Sequence, residues 1–280
     1  MFDRIKRSFA LVRASIAVLR QDRHLMLFPV ISALALLLVV VAFALPLFGL
    51  GSIDGIGRGG AYSAAFLFYV VQYFVIFYFN TALVGAVMIR LDGGSPTLGD
   101  GLRIANSRIG TILGYAVLAA TVGVILRAIQ ERVGFVGRLI AGLIGAGWAL
   151  ATFLVVPVIV MGNRGAIGSI SESTALLKRT WGENVAGQAG LGIAFSLLYI
   201  VLALGAGLLA VLMAHFAGAA AGPLLVLLAI AVVLVFLACM LVHATLGGIY
   251  AAVLYRYAAG GSDAPGFGGA DLASAFRQKS

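Results

Sequence analysis

Six stretches of this chain stay apolar for the length that a lipid bilayer demands: residues 25–50, 62–89, 109–126, 139–161, 186–214 and 224–255. At about 1.5 Å of rise per residue, about 20 apolar residues carry a helix across a hydrocarbon core. No water is available there to pair backbone N–H and C=O groups, so each stretch must close its own hydrogen bonds as a helix. The expected fold class is therefore all-α, a polytopic membrane helical bundle of six transmembrane helices. Composition agrees: 62% of residues are hydrophobic and only 10% charged, where soluble domains run near 45–50% and about 25%. All ten acidic residues fall outside the six runs or at their edges. The first run is too long for a signal-peptide core and no small-residue cleavage site follows it, so it is expected to be retained.

Orientation follows from Lys and Arg, which concentrate on the cytoplasmic side of membrane proteins. With the N-terminus inside, fifteen of the 19 basic residues fall on inner segments and four, Arg58, Arg127, Arg132 and Arg138, on outer ones. Both termini are accordingly expected in the cytoplasm. The link "RAIQERVGFVGR" (127–138) reads either as an outer loop or as a helix lying on the outer face. The net charge of +9 is spread along membrane edges with no basic soluble module. It points to anionic lipid as a partner and away from nucleic acid. One cysteine, Cys239, excludes an intrachain disulfide.

In front of the first run stands "LRQDRHLMLFPV" (19–30), preceded by a segment both basic and greasy. Phe2, Ile5, Phe9, Val12, Ile16 and Leu19 recur at alternating steps of three and four, one face of a helix. Arg4, Lys6 and Arg13 flank that stripe. Such a helix can lie in the headgroup layer with its basic side chains snorkelling to phosphates, or pack on the protein's own inner loops. The device recurs. Shifted by 72 positions, Thr97–Gly110 lies without gaps on Ser169–Gly182, and both open like a capping box, "TLGD" and "SISE". "SFALVR" (8–13) aligns with "STALLK" (173–178), so the stripes Ile5/Phe9/Val12/Ile16, Leu98/Leu102/Ala105/Ile109 and Ile170/Thr174/Leu177/Trp181 coincide. The second and sixth runs also end alike, "AVMIR" (86–90) and "AVLYR" (252–256). The reading is a single transmembrane domain, 1–258, built of three units (1–92, 93–164 and 165–258). Each unit is an amphipathic elbow helix followed by a hairpin, and a Gly-rich tail, 259–280, closes the chain. Arg4, Lys6, Arg13, Arg103, Arg108, Lys178 and Arg179 are the expected lipid-headgroup contacts.

Motifs of chemistry are missing from the sequence. It has no P-loop, HExxH, GxSxG or Cys/His metal spacing, so no catalytic residue, metal or cofactor is assigned and an enzyme is not expected. Asp92, Asp100, Glu172 and Glu183 share the inner face, and Asp100 and Glu172 already have a role as capping acids. Polar residues are few inside the runs, and Gln72, Asn80, Thr81 and His243 stand out among them. Each is read as lining a polar path or as an interhelical hydrogen bond, since polar groups in hydrocarbon are functional or paired. His24 is expected at the inner interface and His215 near the outer one. Gly accounts for 37 residues; "AGLIGAGWA" (141–149), "AGQAGLG" (186–192) and "HATLGGIYAA" (243–252) space small residues four apart, as close helix packing requires. Pro29, Pro46 and Pro157 are candidate kinks.

The N-terminal "MFDRIKRSFALVRASIAVLRQDRHLMLFPVISAL" and the "AVLYRYAAGG" ending resemble an uncharacterised family of bacterial and archaeal six-pass membrane proteins known as a domain of unknown function. That resemblance runs over nearly the whole chain. It implies six spans and a prokaryotic plasma (inner) membrane, and no activity. "LRQDRHLMLFPVISALALL" is more locally similar to the first span of CysZ-type sulfate permeases. The elbow-plus-hairpin plan resembles the membrane domain beside some glycerophosphodiester phosphodiesterases, whose catalytic domain has no counterpart here. Three roles remain open at this level. They are an oligomeric, uncoupled conduit for a small solute such as an anion, a lipid-binding membrane scaffold, and an accessory subunit docked on another membrane protein.

Overall fold

A computed structural model of the chain describes residues 15–49, 58–179, 181–216 and 221–259, and the regular structure among these residues is helical. The described residues 15–21 form α1, and a 3-10 turn, Arg23–Met26, leads into α2 (Leu27–Gly49). Then come α3 (Arg58–Leu91), α4 (Leu98–Ser107), α5 (Ile109–Arg132), α6 (Phe135–Ala151), α7 (Val155–Met161), α8 (Ala166–Arg179), α9 (Trp181–Phe216) and α10 (Ala221–Ala258). Six stretches are long and apolar enough to cross a membrane: Arg23–Leu45, Tyr62–Leu91, Ile109–Arg132, Phe135–Met161, Gly190–Phe216 and Gly222–Ala258. Each contains most of one run read from the sequence.

Helix α3 is the hub, packed against α2, α4, α5, α7 and α10. The core gathers around its second half, where Leu83, Val84, Val87 and Leu91 meet Phe28, Ile159, Tyr250 and Leu254, all buried. This is also the end at which most charged side chains of the described residues collect, and we call it the charged end. Away from it the helices turn apolar side chains outward, Leu38, Leu204 and Leu234 among them. Hydrocarbon tails solvate such faces as well as another helix would, so burial is not forced there.

The 127–138 link is neither a loop nor a separate surface helix. Helix α5 runs on to Arg132 and α6 begins at Phe135, leaving Val133 and Gly134 as a tight turn. The sequence "RAIQER" holds helix formers only, so nothing stops α5 before Gly134. At the charged end α3 terminates on glycine. Gly93, at φ 85°, donates its N–H to Arg90 and Gly94 to Ile89, the Schellman pattern that satisfies the last carbonyls of a helix. Pro29 lies in the first turn of α2, where its missing N–H costs little.

The apolar stripes of α4 and α8 pack in large part against the bundle. Helix α4 presses Gly101 and Ala105 into the bundle, with Leu98, Leu102 and Ile104 half-buried against it. A Cβ at Gly101 would stand 2.5 Å from the Ala82 carbonyl oxygen and 2.6 Å from Phe28 Cζ. Only glycine lets α4 approach α3 so closely. Helix α8 buries Ser169, Ser173, Leu176 and Leu177, with Ile170 and Thr174 half-buried, against α5, α6 and α7. Both helices therefore rest much of their apolar stripes on neighbouring helices of the bundle. The first elbow's stripe and its Arg4, Lys6 and Arg13 lie outside the described residues.

Candidate functional site at the charged end and the interrupted span

The opening stretch supplies the acid that closes the charged end. Asp22 stands between α1 and the 3-10 turn with its side chain 7% exposed, and both carboxylate oxygens accept from the Arg90 guanidinium, through Nε and Nη2. Arg90 Nη1 also donates to the Gly94 carbonyl at 3.2 Å. Two N–H···O bonds from one planar fork give a geometry that a single bond cannot. His24 Nε2 lies 2.9 Å from the Pro96 carbonyl oxygen, and Arg256, at the end of α10, pairs with Asp92 just past α3. The first, second and sixth spans are thus tied to the 92–97 loop. The two matching endings "AVMIR" and "AVLYR" prove to be two arginines, each holding an aspartate.

The fourth span is interrupted. Helix α6 stops at Ala151 and α7 restarts at Val155, with Thr152, Phe153 and Leu154 in a turn between them. Pro157 explains the location: it offers no N–H to the carbonyl four residues back and its ring crowds that group. Phe153 N–H accordingly bonds back to Leu150 and Val155 N–H to Thr152, three residues rather than four. That shift strands the Ala151 carbonyl and the Leu154 N–H. Both are satisfied by one hydroxyl from α8. Ser173 Oγ donates to Ala151 O at 2.7 Å and accepts from Leu154 N at 3.1 Å. Ser173 is fully buried, and the Tyr115 hydroxyl lies beside Thr152 at the same level. The expected kink at Pro157 is therefore a full break, closed by a side chain of α8. Nothing in the sequence singled out Ser173, because its partners become free only in the folded span.

The capping boxes divide. At α4 the box is complete: Thr97 N–H and Oγ1 donate to Asp100 Oδ2, and Asp100 N–H returns to Thr97 Oγ1. The Thr97 hydroxyl, its N–H and then Arg103 hold the Asp100 carboxyl below the usual carboxylate range. At "SISE" the expectation is corrected. Helix α8 starts at Ala166, so Ser169 sits a turn inside it and donates to the Gly165 carbonyl, while Glu172 pairs with Arg164 at 3.2 Å. The helix begins one turn early, at Ala166, the strongest helix former, directly after Gly165. Among the described residues the acids of the charged end do not converge either. Asp92, Asp100 and Glu172 each hold a different partner, and the Glu183 side chain lies outside the described residues.

The span-interior candidates occupy separate interfaces. Asn80 faces α10, its Oδ1 3.2 Å from where a Cβ on Gly248 would stand. Thr81 is fully buried and its hydroxyl has no hydrogen-bond partner among the described residues. His243 stacks on Phe195 of α9, ring centroids 4.3 Å apart and nearly parallel. Five residues separate His243 from Gly248, about 140° around the helix, so the imidazole and Asn80 belong to opposite contacts. Gln72 is half-buried on α3, two turns from Asn80. His215 meets Phe216 edge-on at the far end of α9. Of the headgroup candidates, Arg103 is 81% exposed and 3.4 Å from Asp100, Arg108 donates to Asn163 Oδ1 at 2.8 Å, and Lys178 is exposed. The Arg179 side chain lies outside the described residues.

Comparison with known families gives one match. The model of a family described as "Family of unknown function (DUF6159)" covers residues 59–266, well over half of the chain, and the chain belongs to that family. The matched segment includes the "AVLYRYAAGG" ending and starts after "LRQDRHLMLFPV". No curated protein matches the chain, and no solved structure does.

Proposed function

We propose that this DUF6159 member is a lipid-engaging scaffold of the prokaryotic plasma membrane, with the charged end and both termini in the cytoplasm. The observation that carries this reading is the build of the charged end. Its interior is packed and cross-tied by Asp22–Arg90 and Arg256–Asp92, while Arg103 and Lys178 point outward where headgroups would lie. Cations at that level each gain on the order of 1 kcal/mol from an anionic leaflet. Three elbow-plus-hairpin units belong to the same proposal. Support comes from the sequence, in which Thr97–Gly110 lies without gaps on Ser169–Gly182 at an offset of 72 residues. So does association with further copies or another membrane protein, since α9 and the first half of α10 bury little against the rest of the chain.

The test is thermal unfolding of the chain in nanodiscs of phosphatidylglycerol and of phosphatidylcholine. A ligand that binds only the folded state raises its stability by mass action. A midpoint several degrees higher in the anionic discs is expected, and equal midpoints would sink the reading. A solute conduit is the second reading, favoured by the interrupted fourth span and by the Thr81 hydroxyl, which has no partner among the described residues. Anion flux into proteoliposomes decides it. The scaffold predicts no flux above empty vesicles, and flux abolished by Asn80→Leu or His243→Leu in folded protein would establish the conduit.

A further inference from the structure

Beside the interrupted span, α5 and the start of α8 leave an open, apolar groove of about 670 Å³ on the surface of the bundle. This is within the range of sites that hold small ligands, about 300–1,000 Å³. Its floor is made by missing side chains. A Cβ at Gly110 or Gly165 would touch nothing within 4 Å, and one at Gly114 would reach only Ala166, at 3.3 Å. Leu113 and Ile167, 48% and 74% exposed, form its apolar rim. The groove follows α5 from Gly110 to Leu118, about 12 Å of helix rise, away from the charged end and into the apolar zone.

At its charged-end mouth stands Arg108, two residues before Gly110, held by Asn163, two residues before Gly165. Asn163 is a neutral amide, so this bond fixes the guanidinium without cancelling its charge. Arginine has five donors in a fork suited to phosphate oxygens, and one bond to Asn163 leaves most of them free. A cation at the mouth of an apolar channel that runs into the bilayer is complementary to one kind of molecule.

We propose that the groove between α5 and α8 binds one anionic phospholipid, with an acyl chain lying over Gly110, Gly114 and Gly165 and the phosphate on Arg108. This rests on the lipid-scaffold reading and gives it a site. The experiment is native mass spectrometry of the purified full chain, titrated with phosphatidylglycerol, with phosphatidylcholine and with inorganic phosphate. Wild type is compared with Arg108→Gln and Gly110→Leu. The leucine fills open space and improves helix propensity, so its unfolding midpoint should not fall.

The first phosphatidylglycerol should bind about tenfold more weakly to Arg108→Gln, a loss in line with one charge-assisted contact. Gly110→Leu should weaken both lipids, and inorganic phosphate should not compete. Phosphatidylglycerol preferred over phosphatidylcholine, yet unchanged by Gly110→Leu, overturns the groove and leaves the scaffold reading standing. No preference in wild type overturns both. Competition by inorganic phosphate, with Gly110→Leu silent, assigns Arg108 to a free anion and overturns the lipid site. If Arg108→Gln unfolds, Gly110→Leu alone decides.

Discussion

At the scale of single residues, the fold hangs on polar groups that have been taken out of water and must therefore be paired. Asp22 and Arg90 are the clearest pair. Removing one member of a buried ion pair costs about 3–5 kcal/mol because the other charge is left uncompensated. Arg90 is a quarter exposed, so Asp22→Asn should cost less, about 2–3 kcal/mol. A lowered thermal midpoint in detergent would show it. Asp22→Leu combined with Arg90→Met should recover part of the loss, because both charges are then gone. A single Asn variant as stable as wild type would mean that the pair is ornamental.

Ser173 makes a sharper case, since one hydroxyl serves two backbone groups. In Ser173→Ala the Ala151 carbonyl and Leu154 N–H both lose their partner at a site with no exposure. Each unsatisfied buried group costs about 1–3 kcal/mol. The variant should lose about 2–4 kcal/mol in all, and the Leu154 amide should exchange faster with deuterium. Unchanged exchange at Leu154 would falsify the bridge.

At the scale of elements, α4 and α8 are packed parts of the bundle, and glycines set how close helices come. Gly101 and Gly248 are both glycines at helix contacts, yet the structure separates them. A Cβ at Gly101 runs into a backbone carbonyl, that of Ala82, which cannot rotate away. A Cβ at Gly248 meets mainly the tip of Leu83, Cδ2 at 2.6 Å, which can change rotamer. Overpacking typically costs about 1–3 kcal/mol where nothing can yield. Gly101→Ala should therefore fall in that range by thermal unfolding and Gly248→Ala should stay below about 1 kcal/mol. The reverse order would show that α4 can slide on α3.

At the scale of the whole molecule, the charged end and the opposite end differ in charge, and this makes orientation testable. By sequence, fifteen of 19 basic residues fall on the segments expected inside, which predicts a cytoplasmic charged end. In a Cys239→Ser background, Glu131→Cys at the α5–α6 turn should react with a membrane-impermeant maleimide added to intact cells. Asn163→Cys should react only after permeabilisation. The opposite pattern would invert the topology and move the proposed lipid contacts to the other leaflet.

What could be read from the sequence alone was whatever hydrocarbon imposes directly. Six apolar runs dictate six helices, since nothing else pairs its backbone without water. The Thr97 box was legible because a cap needs only neighbours three residues apart. Tertiary structure decided the rest, because those features depend on residues far apart in the chain. The acid in "LRQDRHLMLFPV" acquires its meaning only when Arg90, 68 residues later, is laid against it. The break beside Pro157 is tolerable only because Ser173 arrives from α8. His243 and Asn80, alike as polar residues in greasy spans, part company because a helix turns them to different neighbours. An apolar stripe is the same pattern whether lipid or protein covers it, and only the packed bundle laid much of it against protein in α4 and α8.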